Sequence, residues 1–210
     1  HSEKSGCSNA FTINDPLTLY NRGKGLFSLK GFPSDCVNVG LNSDVIPEVD
    51  CIVSGINHGP NLGSDIFFSG TVGAARMAYF LGKSGFAVSM DAHHRPSDHF
   101  HDAARFVMSF IEEVNPGAEP VLYNINYPDL PEDRVRGVRS ATMSRRSYGF
   151  SFRSETGGEG ETLLHIRGDI ASDEAEDTDA LFLKQGYITV TPLTTDCNDY
   201  GSIRSFNRRR

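Results

Sequence analysis

The stretch Ser54-Gly55-Ile56-Asn57-His58-Gly59-Pro60-Asn61-Leu62-Gly63-Ser64-Asp65-Ile66-Phe67-Phe68-Ser69-Gly70-Thr71-Val72-Gly73 decides the fold. On its N-terminal side stands Val49-Asp50-Cys51-Ile52-Val53, short and mostly apolar, which reads as a buried strand. On its C-terminal side, Ala74-Ala75-Arg76-Met77-Ala78-Tyr79-Phe80-Leu81 predicts a helix that ends at Gly82. Strand, glycine-rich polar loop and helix form the unit from which an open α/β sheet builds a site. Ligands sit beyond the carboxyl ends of the strands, and a helix N-terminus aims free N–H groups at anions. Ser69-Gly70-Thr71 is then the first turn of that helix, where two hydroxyls and several backbone N–H groups could converge on one phosphate. Ser and Thr are also ordinary helix caps. The density of Asn and Gly over the whole loop favours a ligand.

Working outward, Gly85-Phe86-Ala87-Val88-Ser89-Met90 reads as the next buried strand, which closes a βαβ unit with parallel strands and a right-handed crossover. Ser97-Asp98 is predicted to cap a long helix in which Ala103, Phe106, Val107, Phe110, Ile111 and Val114 recur at helical spacing, with Gly117 as its end. Residues 120–126 read as a third parallel strand. Upstream, residues 1–9 look like polar loop, and Phe11, Ile13, Leu17 and Leu19 alternate around the turn Asn14-Asp15-Pro16. Leu26 to Lys30 reads as a short strand, and Pro33-Ser34-Asp35 opens a short helix to about Leu41 with Ser34 as cap. Past residue 130 the character changes. β segments are predicted over 135–141, 147–153 and 162–169, with Gly157-Gly158-Glu159-Gly160-Glu161 as a hairpin tip. A short helix within 174–184 and a strand over 187–193 follow. The expected fold is a three-layer α/β, Rossmann-like, mostly parallel doubly wound sheet with a β-rich C-terminal extension. It forms one domain over 1–210, with a core at 1–130 carrying the phosphate loop and an extension and arm at 131–210.

Composition is that of an ordinary soluble protein, 38% hydrophobic and 22% charged. No apolar run reaches the roughly 18 residues of a membrane-spanning helix, and no signal peptide is visible in a chain that starts abruptly at His1. The formal charge of -7 argues against broad binding to DNA or a membrane surface, while a single nucleotide remains compatible with it. Arg208-Arg209-Arg210 reads as a frayed basic tail. Cys7, Cys36, Cys51 and Cys197 are scattered without the spacing of a zinc site or a disulfide framework, which suits a cytoplasmic protein.

Several side chains are candidates for chemistry. Asn57, just past the predicted strand, could ligate a hard cation through its amide oxygen and donate to phosphate through its NH2. It could equally bond local backbone. Asn61 is a second candidate in the loop, and Asp65 reads as a turn former before a ligand. Asp91, His93, His94, Asp98, His99 and His101 are a tempting metal cluster, but adjacent His93 and His94 point apart in an extended chain. Asp173, Glu174, Glu176, Asp177 and Asp179 read as a solvated helix start that complements the dipole.

The loop from Ser54 to Gly63 followed by Ser69-Gly70-Thr71-Val72 resembles the signature of the survival protein E nucleotidases. Further matches lie in order along the chain at Lys4-Ser5, Gly31-Phe32-Pro33-Ser34-Asp35-Cys36-Val37, Asn124-Ile125-Asn126-Tyr127-Pro128, Asp177-Thr178-Asp179-Ala180 and Gly186 to Leu193. The resemblance implies a metal-dependent phosphomonoesterase of nucleoside monophosphates (5′ or 3′), with short polyphosphates as a side substrate and Mg or Mn as cofactor. Carried over by motif, Asn57 is the catalytic residue and a metal ligand. Ser5 is a second metal ligand, and Asn57, Ser69, Gly70 and Thr71 bind phosphate. The family's principal metal ligands, an Asp-Asp pair in an Asn-Asp-Asp-Gly motif, have no match in this sequence, so the family's first strand is expected upstream of His1. The alternative is a non-catalytic nucleotide or phosphate binder without those aspartates. The resemblance also implies a homodimer or tetramer that exchanges C-terminal elements. The segments Leu163-Leu164-His165-Ile166 and Tyr187-Ile188-Thr189-Val190 need partners to bury against.

Overall fold

Every residue from Ser84 to Met90 is small or apolar, the composition of a strand covered on both faces, and the computed structural model buries all 7 of them. The structure describes residues 6–92, 96–115, 117, 119–173 and 175–208. Its elements in chain order are β1 (Thr18–Gly23), β2 (Leu26–Lys30), α1 (Pro33–Asn42), β3 (Cys51–His58), α2 (Gly70–Phe80), β4 (Ser84–Met90), α3 (Phe100–Val114), β5 (Leu122–Tyr127), β6 (Val138–Ser140), β7 (Arg146–Tyr148), β8 (Ser151–Thr156), β9 (Thr162–Arg167), β10 (Ile170–Ser172), α4 (Asp179–Lys184), β11 (Ile188–Pro192) and α5 (Tyr200–Asn207).

The central sheet has 5 strands in the order β3-β4-β5-β11-β6. β3, β4 and β5 run parallel, as helical crossovers require, whereas β11 lies antiparallel to β5 and parallel to β6. Alternation along β4 divides the core between two faces. Phe86, Val88 and Met90 join Ile125, Tyr127, Ile188 and Val190 beneath Ala103 and Val107 of α3. Ala87 and Leu122 meet Val72 and Ala75 of α2 on the other face, together with Ile66. α1 lies outside α2, with Val37 clustered against Ala74, Met77 and Ala78. Helices on both faces of a mostly parallel sheet are the three-layer α/β arrangement read from the sequence.

Element boundaries differ from the sequence reading for identifiable reasons. β3 continues through His58, so Ser54 to His58 are strand, with an irregularity between Ser54 and Asn57. The neighbouring β4 pairs with Asn57 and His58, and that ladder overrides the weak strand propensity of Gly and Asn. α1 is capped by Phe32. Pro33 takes the first helical position, and the Asp35 carboxylate reaches back to the Phe32 N–H at 2.7 Å, while Ser34 is fully buried. α3 starts at Phe100, because Ser97 instead shapes the preceding turn by accepting the His99 N–H at 3.1 Å. It ends at Asn115, which takes the left-handed conformation expected of Gly117. Of the alternation at 11–19 only β1 forms, paired with β2. The predicted strand over 147–153 is two strands, β7 paired with β10 and β8 paired with β9 around the Gly157–Glu161 tip. β6 and β11 join the central sheet, so the parts of the 131–210 extension that stand off it are 146–172 and the tail after β11. α5 went unread in the sequence. Asp199 caps it by accepting the Ser202 N–H at 3.0 Å.

Candidate functional site

The parallel strands β3 and β4 end side by side, where the Gly59 N–H donates to the Met90 carbonyl at 2.9 Å. Asn57 lies at this carboxyl end. Its Nδ2 donates to the Gly59 carbonyl at 2.7 Å, and its Oδ1 accepts from Thr71 Oγ1 at 3.3 Å. The structure therefore brings together Asn57 and Thr71 from opposite ends of the loop. Ser69 is the N-cap of α2, its Oγ accepting the Val72 N–H at 3.2 Å. The first main-chain bond of the helix is Gly73 N–H to the Ser69 carbonyl, 2.9 Å. The N–H groups of Gly70 and Thr71 precede it, outside the helix's own ladder, in the position from which helix N-termini bind anions. Ser5, the other expected metal ligand, lies outside the described residues.

Sequence reading missed the segment that crosses this first turn. The Ser8 N–H donates to the Phe68 carbonyl at 2.8 Å, and Ser8 Oγ donates to the Phe67 carbonyl at 2.6 Å. A Cβ at Gly73 would fall 2.1 Å from the Ser8 carbonyl oxygen, so a glycine inside the helix is what admits the crossing chain. That glycine was the available signal. Asn9 Oδ1 in the same segment is buried and has no partner among the described residues.

Asn61, Asp65 and Asp179 among the remaining candidates have structural partners. Asn61 is buried. Its N–H donates to Asn126 Oδ1 at 2.8 Å and its Nδ2 to Ser89 Oγ at 2.7 Å, while its carbonyl accepts from Asn124 and Asn126 at 2.7 and 3.1 Å. With its amide nitrogen and both main-chain groups engaged inside the sheet's end, Asn61 is a plug for buried polar groups. Asp65 accepts from the Leu62 N–H (3.2 Å), Arg146 Nη1 (2.5 Å) and Tyr148 Oη (2.6 Å), so it shapes the turn and ties it to β7. Burial, and then the hydrogen bond to Asp65, push the Tyr148 phenol pKa up. His58 packs edge-on against Phe100, 5.4 Å between ring centroids, and His99 Nδ1 lies 3.3 Å from Asp102 Oδ2. His93, His94 and Glu174 lie outside the described residues. The acidic run is divided. Asp173 accepts the Arg145 N–H at 2.8 Å, and Asp179 is fully buried at the start of α4.

Among the described residues no group of three or more His, Cys, Asp or Glu side chains could hold a metal ion. Asn57 Oδ1 and Thr71 Oγ1 are two neutral oxygens, and they do not by themselves fit a divalent cation, which takes anionic oxygen ligands or keeps its water. What Asn57, Gly70 and Thr71 offer suits a tetrahedral anion better: helix N–H groups and the remaining amide hydrogen of Asn57.

The family described as survival protein SurE matches residues 1–150. The 5'-nucleotidase SurE of Pseudoalteromonas atlantica is 35% identical over 203 residues, which cover 95% of this chain and 81% of that protein. The 5'-nucleotidase SurE of Desulfitobacterium hafniense is 33% identical over 211 residues, 99% of this chain and 82% of that protein. The crystal structure of the SurE protein from Aquifex aeolicus matches with a TM-score of 0.78 at 28% identity, covering 98% of this chain and 84% of that one. Motifs, fold and relatives agree along nearly the whole length, and the chain belongs to the survival protein SurE family.

Proposed function

We propose that the protein hydrolyses nucleoside monophosphates as a 5′/3′-nucleotidase, with short polyphosphates as a secondary substrate. The observation that carries this reading is the convergence of Asn57 and Thr71, 3.3 Å apart, at the N-terminus of α2, in a chain whose relatives are named 5'-nucleotidases. The Gly70 and Thr71 N–H groups and the second Asn57 Nδ2 hydrogen grip the non-bridging oxygens of the phosphoryl group, while the Thr71 hydroxyl, donating to Asn57 Oδ1, orients that amide. They hold it in one orientation, and they stabilise the charge that these oxygens carry during transfer. Ser69 keeps the helix terminus in place as its cap. The resemblance implies a divalent ion of the Mg or Mn class. Asn57 and Thr71 are not a sufficient ligand set for it.

One observation favours a second reading, phosphate binding without hydrolysis: among the described residues the side-chain partners of Asn57, Ser69 and Thr71 include no carboxylate. Phosphate release from a panel of 5′ and 3′ nucleoside monophosphates, with and without EDTA, separates the two for the full-length protein. EDTA-sensitive release supports the nucleotidase, and saturable nucleotide binding without release supports the binder.

The proposal includes a homodimer, or a dimer of dimers, that exchanges C-terminal elements. Every residue of β8 and β9 is exposed, and α5 buries none of its residues in this chain. Tyr200, Ile203 and Phe206 nevertheless recur along α5 at one-turn spacing. Light scattering tests the assembly, and a monomer at micromolar concentration sinks it. Deleting residues 198–210 tests the exchange. A cut before Asp173 would also remove α4 and the sheet strand β11. A cytoplasmic location is part of the same reading. Four free cysteines suit a reducing compartment, and among the described residues no helix is long and apolar enough to cross a membrane.

A further inference from the structure

We infer that Asp179 is a positioning residue for the phosphate site, acting on the apex of the loop whose two ends carry that site. The inference rests on the proposed phosphate binding at α2.

The loop leaves β3 at Asn57 and returns at Ser69-Gly70-Thr71. Its ends are tied by the Asn57 and Thr71 side chains and Asn61 is anchored in the end of the sheet, while its apex is reached from outside the sheet. There the Gly63 N–H donates to Asp179 Oδ2 at 2.7 Å, across a sequence separation of 116 residues. The other oxygen, Oδ1, accepts the Ser144 N–H at 2.9 Å and the Ala180 N–H at 2.8 Å. One fully buried carboxylate thus joins the loop, the segment leading into β7, and the start of α4. The contact is close. Gly63 has φ +49, and a Cβ there would fall 2.1 Å from the Ser144 carbonyl oxygen. Two residues on, Asp65 takes Arg146 and Tyr148 from β7, and its carbonyl accepts the Ser69 N–H at 2.9 Å. A displacement at Gly63 therefore passes through Asp65 to the cap of α2. A carboxylate is needed because three N–H donors converge, and a neutral amide would turn its NH2 toward one of them.

Asp35 supplies the control. It is equally buried, and it also accepts three donors: the Thr12 N–H at 2.7 Å, the Thr12 hydroxyl at 2.9 Å and the Phe32 N–H at 2.7 Å. None of these belongs to the loop. A purely structural buried carboxylate behaves like Asp35, and a positioning one does not.

The test titrates inorganic phosphate against wild type, Asp179→Asn and Asp35→Asn, well below each melting temperature, and measures kcat and KM in parallel. Asp179→Asn should weaken phosphate binding about tenfold, within the usual range of coupling between linked sites, while Asp35→Asn lowers the melting temperature and leaves phosphate affinity and kcat within twofold. Equal affinities in wild type and Asp179→Asn overturn the inference. If Asp179→Asn does not fold, Gly63→Ala displaces the apex from the other side and should weaken phosphate in the same way. Wild type alone gives a reciprocal test by amide hydrogen exchange. Phosphate should slow exchange at Gly63 and Ser144 as well as at Gly70 to Val72. Protection confined to α2 overturns the inference while leaving the nucleotidase reading intact. Phosphate coupling to Gly63 in a protein that releases no phosphate from nucleotides does the reverse.

Discussion

β4 and the β8–β9 hairpin are strands of similar length in the same chain, and their environments are opposite. All 7 residues of β4 are buried between α2 and α3, whereas all 6 residues of β8 and all 6 of β9 are exposed. The exposed set includes Phe152 at 63%, Leu164 at 63% and Ile166 at 67% of their full accessibility. β4 is held by apolar burial on two faces. The hairpin is held by one ladder and its Gly157–Glu161 turn, and an isolated two-stranded ribbon is at best marginal in water. The sheet's apolar faces are covered by this chain's own helices, whereas both faces of the hairpin are open in it. The loop from Asn57 to Thr71 stands between these regimes. Its ends rest on the sheet and its apex on the segment that leads to the hairpin.

The largest effect that would sharpen this contrast lies in the sheet. Phe86→Ala removes a fully buried ring from under α3 and should cost about 3–5 kcal/mol in urea unfolding. A loss below about 1 kcal/mol would mean that the sheet is not the stable half. Next in size, Asn57→Ala should lower kcat about 100-fold, because it removes the proposed phosphate donor, while the lost bond to the Gly59 carbonyl costs only about 1 kcal/mol of stability. Near-normal turnover with a large fall in melting temperature would make Asn57 a loop support. On the hairpin, Phe152→Ser should change chain stability by no more than about 0.5 kcal/mol, the range of an exposed site. It should shift light-scattering mass toward monomer where a second subunit covers the ring. A large unfolding effect without a mass change would show the hairpin folded back on its own core.

The smallest effect is pH-dependent. The raised Tyr148 pKa means that the fold favours the neutral phenol. That contribution is fully present below the ordinary phenol value of about 10, and it is lost as pH rises through the higher folded value. The melting temperatures of wild type and Tyr148→Phe should therefore differ by a constant amount from pH 7 to 9 and converge in more alkaline solution. Divergence there would place the phenolate, not the phenol, in the contact with Asp65.

Much of the core was legible because its signals are local. The apolar run of β4, the helical spacing in α3 and the strand–loop–helix order around Asn57 each lie within one short window. Boundaries slipped where a neighbour intervened. β3 runs on to His58 because β4 lies beside it, and α1 takes Phe32 as cap because Asp35 reaches back to it. The acidic run at 173–179 reads as a solvated helix start, and Glu176 and Asp177 are exposed while Asp173 is half-buried. Asp179 was the exception, since its donors at Gly63 and Ser144 are far away in sequence.

The sequence by itself determined the layer order of the core and the residues at the two ends of the site loop. Periodicity fixes which face of a strand or helix is buried, and a helix start next to a parallel strand end always presents its N–H groups there. Only the tertiary structure decided that Asn57 meets Thr71 at 3.3 Å, that Ser8 crosses the first turn of α2 at Gly73, and that Asp179 and Arg146 hold the loop across separations of 116 and 81 residues. Such contacts satisfy buried polar groups, and which distant donor meets which acceptor depends on how the packed elements finally lie, information that no local window contains.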